Sequence, residues 1–122
     1  RAVYAAEAGR DLVLSLKAAG AMAGRRMAVE HRDLFRRPLS PAELNRLGAV
    51  LIDPPRAGAR EQVVQVAASA VPVVIYVSCN PASFARDAAH LVAGGYVLDS
   101  VKPVGQFRWS THIELVGVLR RA

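Results

Sequence analysis

The stretch VPVVIYVSCNPASFARD, residues 71–87, decides the fold of this chain because it joins an apolar strand directly to a helix. Residues 71–78 are almost continuously apolar and rich in β-branched side chains, which predicts a buried strand. Asn80 and Pro81 then form a typical helix start, with an N-cap followed by proline in the first turn. Cys79, the only cysteine of the chain, lies at this junction between strand and helix.

The same alternation of strand and helix continues in both directions from this stretch. Further strands are predicted at 2–6, 27–30, 48–53, 96–107 and 112–120, and helices at 9–24, 80–95 and 59–70, with a short helix N-capped by Ser40. Apolar strands that alternate with helices predict an α/β fold, a doubly wound and mostly parallel sheet buried on both faces. The last two strands have no helix between them, which predicts an antiparallel pair at the edge.

Composition indicates one globular domain with a sizeable core. The chain has 122 residues, of which 52% are hydrophobic and 21% charged. No apolar stretch reaches the ~18 residues of a membrane span, so no membrane partner is expected. A single cysteine excludes an internal disulfide framework and suits a reducing, cytoplasmic setting. Cys79 and the histidines His31, His90 and His112 do not have the spacing of a metal site.

The chain is basic, with 16 Lys and Arg against 10 Asp and Glu and a net charge of +6. Nearly all of the basic residues are arginine, whose planar guanidinium suits phosphates and bases. A GC-rich genome that encodes arginine in place of lysine would explain the same bias equally well. The charge therefore permits a nucleic-acid partner without requiring one.

Four polar residues come at or just after the ends of predicted strands, where parallel sheets gather ligands. Glu7 could accept both hydroxyls of a ribose, or simply favour a helix N-terminus. Asp33 could accept from an adenine amino group, or cap a turn. Asp53 precedes Pro54-Pro55, which give its loop a rigid shape and favour a functional role.

Cys79 is the fourth of these residues, and Glu114 adds a carboxylate in the apolar final strand. A cysteine can be a small buried hydrophobe, but free N–H groups at a helix start lower the pKa of a thiol there, and Arg86 could add positive potential. An acid within an apolar strand is costly unless paired or functional. His112 shares its strand face and is interpreted as a supporting group.

Three ordered motifs, DPPRAG at 53–58, SCNPASFARD at 78–87 and FRWSTHIE at 107–114, together give the chain a resemblance. It resembles the RNA uracil-5-methyltransferase family, which uses S-adenosylmethionine to form 5-methyluridine in transfer and ribosomal RNA. The resemblance implies a Rossmann-like class I methyltransferase sheet, S-adenosylmethionine as cofactor, and tRNA or rRNA as partner. It covers essentially the whole chain.

The resemblance also implies roles for individual residues. Cys79 matches the nucleophile that attacks C6 of uracil, and Glu114 the acceptor of the C5 proton. Glu7, Asp33 and Asp53 match positions that bind the methyl donor. The chain departs from the family where Ser83 and Ser110 replace threonine, Arg108 replaces proline and Gly105 replaces aspartate.

By the same resemblance, residues 1–122 correspond to the C-terminal part of the catalytic domain. The first sheet strand with its glycine-rich loop, and the RNA-binding barrel common in the family, have no counterpart in the chain. We expect the piece alone to be inactive and to bind the donor weakly. Removal of that strand would expose backbone edges between the strands at 2–6 and 27–30 and those at 48–53 and 72–78. The piece would then either rearrange its strand order or pair these edges with a second copy of the chain.

Two other functions compete with this interpretation. Cytosine-5 RNA methyltransferases also use a cysteine at the second motif, but they usually carry another one in a Pro-Cys pair after the preceding strand. Here Pro54-Pro55 takes that place, which favours uracil. A non-catalytic RNA-binding module is the alternative from outside the enzymes.

Overall fold

The computed structural model describes residues 2–105 and 113–122. It confirms the α/β class, with parallel and antiparallel strand pairs. The chain divides into two compact units, Arg1–Pro38 and Leu39–Ala122. The strands of the described residues form two sheets, one in each unit, and the single domain indicated by the composition stays a prediction.

The first unit is a strand–helix–strand motif. Its elements are β1 (Val3–Glu7), α1 (Arg10–Met22) and β2 (Met27–His31). The two strands are parallel, with register from Val3↔Met27 to Glu7↔His31. The helix ends before Gly24, whose φ of +62° is a conformation that glycine adopts without strain.

The second unit contains the strand-to-helix junction of the 71–87 stretch. Its elements are α2 (Pro41–Leu44), β3 (Val50–Ile52), α3 (Arg60–Ala67), β4 (Val73–Ser78), α4 (Pro81–Ala93), β5 (Tyr96–Gly105) and β6 (Ile113–Arg121). The sheet order is β3-β4-β6-β5. β3 and β4 are parallel, and β6 is antiparallel to both β4 and β5. The predicted antiparallel pair is confirmed, with the last strand lying inside the sheet.

Both predicted helix caps are present in the second unit. The Ser40 hydroxyl accepts from the Glu43 N–H, while the Glu43 carboxylate accepts from the Ser40 N–H, a reciprocal capping box at the start of α2. The Asn80 side chain accepts from the Ala82 N–H at the start of α4, and Pro81 occupies the first helical position. The start of α4 is therefore fixed by the residues that predicted it.

The core of this unit lies on one face of β4. Val74, Tyr76 and Ser78 are buried, while the alternate residues of the strand are only partly so. Leu51 of β3 is 66% exposed. The expectation of strands buried on both faces is therefore wrong for this unit, because the side chains of α3 and α4 join the core on the Val74 and Tyr76 face.

Each of the two sheets has outer strands without a second partner among the described residues, and β1 and β3 are among them. β1 pairs only with β2, and β3 only with β4. Val3 is 50% exposed and Leu51 is 66% exposed. Exposed edges at these strands were expected, while their pairing with a second copy stays a prediction. No helix in the described part of the chain is long and apolar enough to cross a membrane.

Candidate active site

The sheet register makes Cys79 and Glu114 neighbours. β4 and β6 run antiparallel and their last paired residues at this edge are Ser78 and Leu115. Cys79 is the next residue after Ser78, in the bend that follows β4, and Glu114 is the next residue before Leu115 in β6. A thiol and a carboxylate thus lie at the same end of two adjacent strands.

Asp53 lies at the same end of the sheet, just after β3, which pairs with the other side of β4. Ile52, the last residue of β3, pairs in parallel with Tyr76. Asp53 therefore leaves its strand beside the last residues of β4, shortly before Cys79. Its side chain is exposed and makes no hydrogen bond or ion pair within the described residues. The edge thus carries a carboxylate, a thiol and a second carboxylate on three adjacent strands.

The turn that carries Cys79 is tightly hydrogen-bonded. The Ser78 hydroxyl accepts from the Asn80 N–H at 3.0 Å and donates to the Asn80 carbonyl at 2.9 Å. The Asn80 carbonyl also accepts from the Phe84 N–H at 3.0 Å. Cys79 itself is half-buried and has a free thiol. A partly exposed thiol on a rigid turn is unlike a cysteine that only fills a core.

The 53–58 loop is fastened to α4 through the Arg56 carbonyl. This oxygen accepts from the Asn80 side-chain amide at 3.0 Å and from the Ser83 hydroxyl at 2.8 Å. Both donors lie within the first residues after Cys79. The main chain of the loop and the Cys79 turn are therefore held together by side chains of α4.

A second fastening is centred on Asp87, whose side chain is fully buried. It accepts from the Tyr76 hydroxyl at 2.5 Å, from the Ala59 N–H at 2.8 Å and from the Arg86 guanidinium at 3.1 Å. Burial, with the hydrogen bond to Asp87, raises the pKa of Tyr76 well above its usual value. Arg86 also donates to the Ala57 carbonyl at 2.7 Å. Its guanidinium forms an ion pair with Asp87, whereas the sequence suggested that it adds positive potential at the Cys79 thiol.

Sequence reasoning missed Tyr76 and Asp87 as site residues. The signal was present, because the SCNPASFARD motif contains Asp87 and the strand before it contains Tyr76. A helical aspartate, however, ordinarily faces water, and only its complete burial reveals its role.

Glu7 and Asp33 lie in the first unit, at the carboxyl ends of its two strands. Glu7 is half-buried and accepts from the Gly9 N–H at 2.8 Å. Asp33 accepts from the Phe35 N–H at 2.9 Å and lies 3.9 Å from the Arg36 guanidinium. Both carboxylates thus support turns of their own unit, which were the structural alternatives for them. Their roles in binding a methyl donor stay predictions.

Part of the third motif lies outside the described residues. His112, interpreted as a supporting group, belongs to this part, and so do the departures at Arg108 and Ser110. Within residues 2–105 and 113–122, no three His, Cys, Asp or Glu side chains gather in a way that could hold a metal ion.

Comparison with solved structures gives the class of protein. The fold is similar to the Pyrococcus abyssi tRNA (uracil-54, C5)-methyltransferase in complex with S-adenosyl-L-homocysteine, with a TM-score of 0.84 and 27% sequence identity. The match covers 97% of this chain and 28% of that chain. The fold is therefore that of the Rossmann-like class I methyltransferases.

The family follows from sequence comparison. A family model described as tRNA (uracil-5-)-methyltransferase matches residues 23–122, and the chain belongs to this family. It is 57% identical over 119 residues to an RNA methyltransferase of Zymomonas mobilis, covering 98% of this chain and 30% of the relative. It is 53% identical over 121 residues to an RNA methyltransferase of Caulobacter vibrioides, covering 98% and 29%. The chain thus spans under a third of the length of these relatives, and the predicted family is confirmed.

Proposed function

We propose that this chain is the C-terminal part of the catalytic domain of an S-adenosylmethionine-dependent RNA (uracil-5-)-methyltransferase, with Cys79 as nucleophile and Glu114 as proton acceptor. The observation that carries the proposal is the β4–β6 register, in which Cys79 and Glu114 directly flank the Ser78–Leu115 pair at one end of the two strands. Membership of the family adds support.

Uracil C5 is a poor nucleophile, and the proposed role of Cys79 is to change that. The thiolate adds to C6 and forms a sulfur–carbon bond, while the electrons of the C5–C6 double bond move toward the C4 carbonyl as an enolate. C5 then carries electron density and can accept a methyl group. A half-buried thiol on a fixed turn suits this step, since the nucleophile must be both reachable and oriented.

Glu114 has the complementary task after methyl transfer. Its carboxylate takes the remaining proton from C5, the C5–C6 double bond reforms, and the electrons of the sulfur–carbon bond leave with the Cys79 thiolate. This step needs a base near C5 while the Cys79 sulfur is bound to C6. A base and a nucleophile at the same end of adjacent antiparallel strands suit that need.

S-adenosylmethionine, when bound, supplies the methyl group. The residues proposed to hold it are Glu7, Asp33 and Asp53. Asp53 fits best, because its exposed carboxylate has no partner among the described residues and can accept from amino groups or face a positive charge. Glu7 uses one oxygen for the Gly9 N–H, which leaves the other for ribose hydroxyls.

The proposed substrate is a uridine of tRNA or rRNA, in an unpaired or flipped position that exposes C6. Covalent trapping tests the proposal. The full-length protein is incubated with S-adenosylmethionine and RNA containing 5-fluorouridine, whose C5 fluorine cannot be removed as a proton. We expect a protein–RNA adduct that survives a denaturing gel and maps to the peptide containing Cys79.

The same experiment separates the competing functions. An adduct with 5-fluorocytidine RNA alone would identify a cytosine-5 methyltransferase. RNA binding without any adduct would favour a non-catalytic binding module. An adduct on a residue other than Cys79 would refute the assignment of the nucleophile.

A further inference from the structure

We propose that Asp87 is a positioning residue for methyl transfer, which together with Ser83 and Arg86 keeps the 53–58 loop and the Cys79 turn in one fixed arrangement. The inference rests on the proposed function and extends it to residues that do not touch the substrate. The loop begins with Asp53, so a fixed arrangement sets the spacing between this carboxylate and the thiol.

The hydrogen-bond pattern of Asp87 is the first argument. Its carboxylate is fully buried, yet it accepts from groups on three separate segments: the Tyr76 hydroxyl of β4, the Ala59 N–H at the start of α3 and the Arg86 guanidinium of α4. Only a residue at the meeting point of the three segments can do so. Asp87 thus joins the strand before Cys79, the helix after it and the loop beside it.

The chemistry of the loop is the second argument. Pro54 and Pro55 have no N–H group, so this part of the loop cannot donate hydrogen bonds to its surroundings. It is held instead through the carbonyls of Arg56 and Ala57, which accept from donors on α4. The loop therefore takes its position from the helix that starts beside Cys79.

The energetics are the third argument. The Arg86–Asp87 ion pair is only partly buried, since the Arg86 side chain is 44% exposed while Asp87 is fully buried, and such a pair contributes little net stability. Its main effect here is geometric, since the charged groups fix the directions of the Ala59 N–H and the Ala57 carbonyl. Misplacement of a reacting group by about 1 Å can cost a hundredfold in rate, so such fixing matters for the reaction.

The test uses full-length protein with three substitutions. Asp87→Asn keeps the shape but turns an amide toward the Arg86 donors, and Ser83→Ala removes one bond to the Arg56 carbonyl. Ser69→Ala is the matched control, because Ser69 is also a buried serine and donates to the Val66 carbonyl at 2.7 Å, away from the loop. Ser83→Thr tests rescue, since it restores the hydroxyl.

The first readout is the single-turnover rate of methyl transfer, compared with the melting temperature and the affinities for RNA and S-adenosylmethionine. We expect Ser83→Ala to slow the reaction about tenfold or more, with affinities unchanged and a melting temperature close to that of Ser69→Ala. Asp87→Asn should slow the reaction by at least as much with affinities unchanged, although its melting temperature also falls because a buried charged acceptor is lost. Ser83→Thr should recover most of the rate. Wild-type rates in both variants, or a rate loss that merely follows the melting temperature and appears in Ser69→Ala too, would overturn the inference.

The second readout does not require activity. The alkylation rate of Cys79 by iodoacetamide is followed by mass spectrometry of its peptide. We expect a change of about threefold or more in Asp87→Asn and Ser83→Ala but not in Ser69→Ala, because the turn is no longer held against the loop. If the wild type forms no adduct with 5-fluorouridine RNA, the proposed function fails, but the alkylation rate still tests whether Asp87 and Ser83 hold the Cys79 turn against the loop. An alkylation rate that is unchanged in both variants would refute this inference.

Discussion

Gly58 offers the sharpest test of the contacts between the 53–58 loop and α4. Its φ of +85° lies in a region that side chains rarely adopt. A Cβ added there would lie 2.5 Å from Arg86 Nη2, 2.7 Å from Asp87 Oδ2 and 3.1 Å from Ser83 Cβ. The first two distances are shorter than real Cβ contacts allow, so Gly58→Ala must displace the ion pair or the loop.

The cost has two parts. Backbone strain at positive φ is worth roughly 1–2 kcal/mol. Asp87 is fully buried, and weakening one of its hydrogen bonds costs about 1.5–3 kcal/mol more, because one partner is charged. We therefore expect Gly58→Ala to destabilise the contact between loop and α4 by about 2.5–5 kcal/mol.

Two glycine substitutions separate these parts. Gly24 has φ of +62° but no atom within 4 Å of an added Cβ, so Gly24→Ala reports strain alone. Gly48 has no atom within 4 Å and no positive φ, so Gly48→Ala reports neither. The excess of Gly58→Ala over Gly24→Ala should be about 1.5–3 kcal/mol, which is the part assigned to Asp87.

Amide hydrogen exchange is the suitable assay, because the Ala59 N–H donates to Asp87 and its protection reports this contact directly. Exchange is followed in the full-length protein for the peptide containing Ala59, and for the peptides around the two control glycines. Protection of Ala59 that is equal in Gly58→Ala and wild type would refute the reasoning about the loop.

Four further predictions concern catalysis and stability. Cys79→Ala in the full-length protein should abolish methyl transfer while calorimetry finds S-adenosylmethionine affinity nearly unchanged; lost donor binding with retained turnover would contradict the assignment. Glu114→Gln should transfer the methyl group but accumulate a covalent RNA adduct on a denaturing gel, whereas a fully active variant without adduct would exclude the role. The raised pKa of Tyr76 keeps its phenol protonated in the folded protein after the unfolded chain has lost that proton, so the free energy of unfolding should fall as the pH rises above 10. Urea unfolding should show a shallower fall for Tyr76→Phe. Arg121→Met should lower the free energy of unfolding by about 2–3 kcal/mol, since Arg121 donates to two main-chain carbonyls and stacks on the Tyr96 ring. Arg120→Met is the control and should cost under about 1 kcal/mol, because Arg120 is exposed and forms only a surface ion pair with Asp99.

The order of strands and helices could be predicted from the sequence because its signals are local. Apolar runs, prolines and glycines set each boundary, and Ser40 and Asn80 cap the helices they were expected to cap. Strand order depends on contacts between distant residues, which local patterns do not encode. The insertion of β6 between β4 and β5 was therefore not predictable from periodicity, although the antiparallel pairing was.

The candidate site was predictable to the same extent. The rule that strand ends gather ligands selected Asp53 and Cys79, which the structure brings to one edge. It gave no reason to bring Glu114 to the end of the sheet that carries Cys79, since that depends on the register of a strand more than thirty residues later. Asp87 was missed because its burial results from tertiary packing around a charged helix residue.

The antiparallel direction of β6 explains how a carboxylate from near the end of the chain comes to the same end of the sheet as the Cys79 thiol. Cys79 follows the carboxyl end of β4. A parallel strand beside β4 would bring its last residues to this edge, near Arg121, and leave Glu114 at the opposite edge. Because β6 runs antiparallel, its first residues meet the end of β4, and Glu114 is the second of them. The reversal of one strand in a Rossmann-like sheet thus brings the carboxylate that we propose as the base to the end of the sheet that carries Cys79.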